Sequence, residues 1–368
     1  MRVEESGSYI HAMETKDWKY IEEQRRMKVK YVEIEKTGVV NIKEKDIPKP
    51  QKGEALLKLL YGGICGSDLN SYRGKSPYTK YPVIPGHEFS AEIISIEDNE
   101  LGLEAGMIVT ANPYFNCGHC YPCNKGLVNC CTDNQTMGVQ RNGGFAEYIT
   151  MPIERIYNCN TIDPKQVALI EPFCIGYHGI KQADITKGDK VLVVGAGTIG
   201  VFAAISAKLM GATVYMCDIA EEKLNYAKEH FGIDGILINK DAQTFQDEVE
   251  KITDSNGFDV TVEAVGLPST FLNCVEAASF GGQVVVIGVG KNNADFNFTS
   301  IQKKELKIVG SRNARKEDFL EAIEFFKNGD IKNLDKIITK SYDYTDAKKA
   351  FEDLDKNASN ILKISFEF

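Results

Sequence analysis

Lys190-Val-Leu-Val-Val194-Gly195-Ala-Gly197-Thr198-Ile199-Gly200 is the stretch on which the reading of the fold turns. An apolar strand, Lys190–Val194, runs without a break into glycines spaced G-x-G-x-x-G, and an apolar helix, Ile199–Met210, follows. Gly195 permits the tight turn, Gly197 lets the backbone approach a pyrophosphate, and Gly200 lets helix and strand pack closely. The start of the helix, at Thr198 and Ile199, offers unpaired N–H groups and a partial positive charge to an anion. Asp218 ends the next strand, Thr213–Asp218, where a carboxylate can accept hydrogen bonds from a ribose 2′-OH. Glu221 and Glu222 beside it would repel a 2′-phosphate, so NAD is expected rather than NADP; Lys223 lies among these carboxylates.

Outward from this unit, strands and helices alternate. Helix Glu221–His230, strand Gly235–Ile238, helix Ala242–Ile252, strand Phe258–Glu263, helix Ser269–Ala278, strand Gln283–Gly288 and strand Lys307–Gly310 predict a parallel sheet with crossovers. Before it, from Val29 to about Pro152, short strands are separated by Gly and Pro, as in Val29–Ile34, Ala55–Tyr61, Phe89–Ile96 and Phe145–Met151. That texture suggests a small barrel or sandwich. A helical passage, Glu171–Ile180, joins the two. After Ser311 come helix Glu317–Lys327, Ile337–Ser341, Tyr344–Leu354 and strand Ile361–Phe366. This tail is expected to return to the first domain, because the nucleotide-binding sheet already has its strands. Met1–Arg26 is polar, holds the only tryptophan, Trp18, and reads as an extension without a catalytic part.

The 368 residues suffice for two domains with separate cores. A net charge of -9 disfavours non-specific nucleic-acid binding. No membrane span or signal peptide is read, and a cytoplasmic protein is expected. In that compartment cysteines serve metals more often than disulfides. Cys117, Cys120, Cys123 and Cys131 have the crowding of a tetrahedral Cys₄ zinc site, whose closed shell holds structure and does no chemistry. Cys130 is read as a bystander.

Chemistry must therefore lie elsewhere. Gly-Ile-Cys65-Gly-Ser67-Asp68 and Pro-Gly-His87-Glu88 supply a thiolate, an imidazole and a carboxylate that can bind zinc and leave a position open. Taken singly, Cys65 reads equally as a small buried hydrophobe, His87 as a core histidine and Glu88 as a surface acid.

These segments, with the Cys₄ spacing, Ile-Glu171-Pro and Gly-Ala-Gly-x-x-Gly in this order, resemble the zinc-dependent medium-chain dehydrogenase/reductase family, in its sorbitol, threonine and sugar-acid dehydrogenase branch. The resemblance covers residues 27–368. It implies an α/β architecture: a GroES-like β-rich catalytic domain over 27–175, completed by 313–368, and a Rossmann NAD-binding domain with a doubly wound parallel sheet over 176–312. It also implies two zinc ions per chain and a homodimer or homotetramer. Cys65, His87 and Glu88 match the catalytic zinc ligands, and Glu171 is implied as a ligand, direct or through water. Asp68 matches the acid that holds the ligand imidazole. Ser67 matches the hydroxyl that takes the substrate proton. Many relatives pass that proton to a histidine where this chain has Asn70, so ordered water, ribose hydroxyls or Glu171 must carry it. Val265 and Arg312 are implied to lie at the cofactor, Arg312 near the nicotinamide.

A guanidinium at Arg312 can bind a carboxylate bidentately or simply touch the cofactor. Tyr72, Arg73, Lys75 and Tyr78 are expected on a pocket loop. The likeness implies hydride transfer from a secondary alcohol of a polyol or sugar acid, such as L-gulonate or L-galactonate, to NAD. Threonine and sugar phosphates are the alternatives. A non-catalytic NAD-binding sensor or scaffold is the rival of another class; its mark would be loss of an open-site ligand or of Ser67, and both are present.

Overall fold

The structure is a computed structural model that describes residues 28–290 and 292–368. The extension read at Met1–Arg26 lies outside the described residues. Six strands form one parallel sheet: in chain order Lys190–Val194, Thr213–Asp218, Gly235–Ile238, Phe258–Glu263, Ala278–Val286 and Lys307–Gly310. Across the sheet they lie third, second, first, fourth, fifth, sixth. Val191, Leu192 and Val193 are fully buried, as befits a strand covered by helices on both faces. The order reverses between Lys190–Val194 and Phe258–Glu263, and the crevice beyond their carboxyl ends is where such sheets bind ligands. The fifth strand begins at Ala278, earlier than the predicted Gln283. Gly281 and Gly282 hide its first half from a reading based on apolar side chains.

A second, seven-stranded sheet runs in spatial order Ile338–Asp343, Lys363–Glu367, Glu54–Ile64, Glu88–Ser95, Ile108–Ala111 and Ile156–Asn158, with Tyr148–Pro152 also paired to Glu54–Ile64. The C-terminal strand thus adds to residues 54–64, with Ile364 opposite Ile64 and Ser365 opposite Gly63. Between the sheets lies helix Ile170–Ile180, almost wholly buried. One apolar cluster runs from Tyr114 and Tyr157 through Phe173 to Phe202, Val262 and Phe319. The helix that carries Glu171 is therefore fixed against both sheets. Among the described residues no helix is long and apolar enough to cross a membrane.

Candidate active site

Cys65 follows strand Glu54–Ile64 and precedes helix Gly66–Tyr72, while His87 immediately precedes the neighbouring strand that Glu88 opens. One donor atom from each of the three lies within 4.8 Å of the others. The strand register explains how. Glu88 pairs with Gly63, and a Cβ at Gly63 would come within 2.2 Å of Glu88 Oε2. Only glycine leaves the carboxylate its place. Asp68, fully buried, clasps the two ligand loops: Oδ2 accepts from the Cys65 amide at 2.9 Å and Oδ1 from the Gly86 amide at 3.0 Å. It makes no hydrogen bond to the His87 ring, so its grip on that ligand runs through the backbone rather than the imidazole.

Lys363 was invisible to local reading. Its ammonium donates to both Glu88 oxygens at 2.8 and 2.6 Å and to the Ile64 carbonyl at 3.3 Å, in a setting where the two side chains are 4 and 0 % exposed. A lysine inside the apolar run Ile361-Leu-Lys363-Ile-Ser-Phe366 was the available signal, since buried lysines are almost always paired.

Ser67 Oγ, two residues beyond Cys65, and His87 Nδ1 are buried without a partner. An unsatisfied buried polar atom costs about 1–3 kcal/mol, so such atoms mark places for something that binds. The field agrees. Burial opposes charge on His87, yet Cys65, Asp68 and Glu171 together hold its pKa well above the usual value. Sulfur, nitrogen and oxygen donors in an anion-rich pocket fit a zinc ion that keeps an open position.

Glu171 is not among the three converging donors. Its Oε1 accepts a hydrogen bond from the Tyr114 hydroxyl, a partner that sequence reading missed. Burial, with Glu88, pushes Glu171 up to about 7 against the pull of His87 and Tyr114. Cys174, on the same helix, is buried among apolar side chains.

The sulfurs of Cys117, Cys120, Cys123 and Cys131 also converge within 4.8 Å, and Cys130 stands outside that group. Cys117 N donates to Cys131 Sγ at 3.2 Å, so the loop closes on itself. Amides of Cys123 and Thr132 hold Cys120 down at about 5, whereas burial lifts Cys131 to about 11. Cys120 thus offers a thiolate to a cation at neutral pH, and Cys131 releases its proton on binding.

At the nucleotide site Gly195 has φ +113, and a Cβ on Gly200 would meet the Gly195 carbonyl at 1.8 Å. Gly197, Thr198 and Ile199 are half-buried at the start of helix Thr198–Leu209. Asp218 accepts from the amides of Ala196 and Ala220 at 2.6 and 2.9 Å, which holds it against the glycine turn. The Thr198 hydroxyl donates to the Leu362 carbonyl at 2.6 Å, tying the turn to the C-terminal segment. Lys223 and Tyr226 line a cavity of about 240 Å³ beside Ala196. Val265 is exposed; its amide and that of Gly266 donate to buried Glu263 at 3.0 and 2.8 Å.

Among the expected pocket residues, Arg73 is engaged elsewhere, paired with Asp355 at 2.5 Å. Tyr78 is 61 % exposed. Arg312 has an exposed side chain directly beyond the last strand of the parallel sheet.

Residues 51–161 match the alcohol dehydrogenase GroES-like domain, and residues 198–328 match the zinc-binding dehydrogenase domain. L-galactonate-5-dehydrogenase of Escherichia coli K12 is 34% identical over 84% of this chain and 90% of its own length. Sorbitol dehydrogenase of Halalkalibacterium halodurans is 31% identical over 86% and 92%. Among solved structures, the rspB alcohol dehydrogenase of Escherichia coli CFT073, complexed with NADH, superposes with a TM-score of 0.85 at 31% identity, covering 93% of this chain and 99% of that one. The chain belongs to the zinc-dependent medium-chain dehydrogenase/reductase family, and is an oxidoreductase that works with zinc and NAD.

Proposed function

We propose that this enzyme oxidises a secondary hydroxyl of a sugar acid or polyol, with NAD as the hydride acceptor. The observation that carries this reading is the convergence of Cys65, His87 and Glu88, with a buried, unpartnered hydroxyl at Ser67, two residues beyond Cys65. Cys65, His87 and Glu88 would hold the reacting zinc, and the four thiols of the 117–131 loop a second, structural one. The chemistry these groups supply when bound is stabilisation of negative charge on the substrate oxygen and acceptance of the hydride.

The remaining roles belong to the chain. Lys363 keeps Glu88 paired and aligned in the slot that Gly63 leaves. Asp68 holds the Cys65 and His87 loops at fixed separation. Ser67 Oγ accepts the substrate proton. With Asn70 unable to carry it onward, the proton leaves by ordered water, the ribose hydroxyls or Glu171, which Tyr114 steadies. Gly195, Gly197, Thr198, Ile199 and Gly200 take the pyrophosphate, Asp218 and Lys223 the adenosine ribose, and Val265 and Arg312 flank the nicotinamide.

Arg312 carries the preference for an acid. An exposed guanidinium following the last nucleotide-sheet strand can grip a substrate carboxylate, and the relative named for L-galactonate supports the class. Action as a homodimer or homotetramer in the cytoplasm completes the proposal; ten unpaired cysteines support a reducing compartment. The test is the rate of NAD reduction across hexonates, hexitols, their phosphates and threonine. The highest kcat/KM is expected with a hexonate. Activity confined to hexitols, phosphates or threonine overturns the acid reading and leaves the dehydrogenase.

A further inference from the structure

Asn129 lies inside the Cys₄ loop, between Cys123 and Cys131, on the short 3₁₀ turn Val128–Cys130. It is 3 % exposed, and every polar group of its side chain is spent on other parts of the molecule. Its Nδ2 donates to the Arg312 carbonyl at 2.9 Å and meets His178 Nε2 at 3.2 Å. Its Oδ1 accepts from Arg315 Nε at 3.1 Å, and its backbone carbonyl accepts from Asn313 Nδ2 at 3.1 Å. The partners are separated from it by 49 to 186 residues, so none of these bonds is local.

The contact continues past Asn129. His178, near the far end of the helix that carries Glu171, also faces Asp318 through Nδ1 at 2.8 Å, and Lys181 reaches the other Asp318 oxygen at 3.2 Å. With Nδ1 donating to the carboxylate, Nε2 is left to accept from Asn129. Asp318 Oδ2 also accepts from the Arg315 amide at 2.7 Å, which starts helix Lys316–Asn328. One buried asparagine therefore joins the thiol loop to the segment Arg312–Arg315 and to helix Ile170–Ile180. Asn313 in that segment has φ +52, a conformation that asparagine tolerates but that needs tertiary support.

We propose that Asn129 is a positioning residue through which the Cys₄ loop fixes the Arg312–Arg315 segment, and with it the Arg312 side chain at the nicotinamide end of the cleft. The inference rests on the proposed structural zinc and on the proposed place of Arg312. Without the ion the loop is closed only by its own turns, the bond from the Cys117 amide to Cys131 Sγ and a 3.8 Å contact between the Cys120 and Cys131 sulfurs, and Asn129 has a looser footing. The four thiols thus serve the cleft through a polar latch as well as serving stability.

Peptide-level amide hydrogen exchange on the full chain tests this, with zinc content measured in each variant. Asn129→Ala should keep the wild-type zinc content and speed exchange of residues 311–315 about tenfold or more, as loss of buried hydrogen bonds predicts. Residues 242–253, in a helix remote from the latch, should exchange as in wild type. Arg315→Gln, which removes a single bond, should give a smaller increase at the same place. Cys120→Ser, which opens the thiol loop, should reproduce the Asn129→Ala pattern at 311–315. Unchanged exchange at 311–315 in Asn129→Ala, or equal acceleration everywhere, overturns the latch. Wild-type protein without zinc on the four sulfurs would instead overturn the metal reading, while the Asn129→Ala result would still decide whether the latch exists.

Discussion

The molecule carries two clusters of soft donors built in opposite ways. The four thiols of residues 117–131 come from one loop, three of them only partly buried, and the loop's own turns bring them together. Cys65, His87 and Glu88 come from two paired strands, with Glu88 fully enclosed and dependent on Lys363, which lies 275 residues away. A uniform thiolate set closes its shell around an ion; a mixed set with an unpartnered hydroxyl beside it leaves room for a substrate. On the proposed reading, zinc in the first place would organise the chain, and in the second it would serve the reaction.

The largest effect that separates them is on turnover. Cys65→Ser should lower kcat by at least about a thousandfold, several kcal/mol of barrier, with the melting temperature little changed. Steady-state rates and a thermal scan of the same sample check it; an active Cys65→Ser enzyme would erase the distinction.

Lys363→Met should be the costliest change to stability near the open cluster. In protein stripped of zinc it strands the Glu88 carboxylate in a slot with no cation, worth about 3–5 kcal/mol. Urea unfolding measures it, and Lys363→Met combined with Glu88→Gln should recover much of the loss. A single variant as stable as wild type would mean that Glu88 does not need its partner.

How much of this was legible follows from the same contrast. The glycine turn, Asp218 and the four thiols are local patterns, and each could be read where it stands. Cys65, His87 and Glu88 were readable as residues only through family likeness, because strand pairing, not spacing, brings them together. Lys363, Tyr114 and Asn129 escaped altogether. Their roles are fixed by the register of Lys363–Glu367 on Glu54–Ile64, by the docking of helix Ile170–Ile180, and by the thiol loop folding onto residues 312–315. The expected grip of Asp68 on the imidazole and the expected place of Arg73 on a pocket loop failed for the same reason: two backbone amides and Asp355 compete for them.

Cys120→Ser should be milder, lowering the melting temperature by about 5 °C and removing one zinc per chain, with kcat reduced far less than in Cys65→Ser. Metal analysis beside calorimetry checks it; loss of all zinc would couple the two clusters more tightly than the geometry does.

The smallest effect concerns pH. Burial opposes the charge on Asp318, but His178 and the Arg315 amide outweigh it and hold the carboxyl below its ordinary value. A depressed folded-state pKa adds stability above the unfolded carboxylate's value, about 3.9, and that gain fades as pH falls through it toward the folded value. Asp318→Asn should flatten that acid limb of the stability curve, as read by urea unfolding at a series of pH values. An unaltered limb would place the acid sensitivity elsewhere.

Anomalous diffraction at the zinc edge, from crystals of the full chain grown with zinc and NAD, addresses the central claim most directly. Two peaks per chain are expected, one enclosed by the sulfurs of Cys117, Cys120, Cys123 and Cys131 and one against Cys65, His87 and Glu88 with a side open to the cleft. A chain whose only peak sits among the four sulfurs would contradict the account.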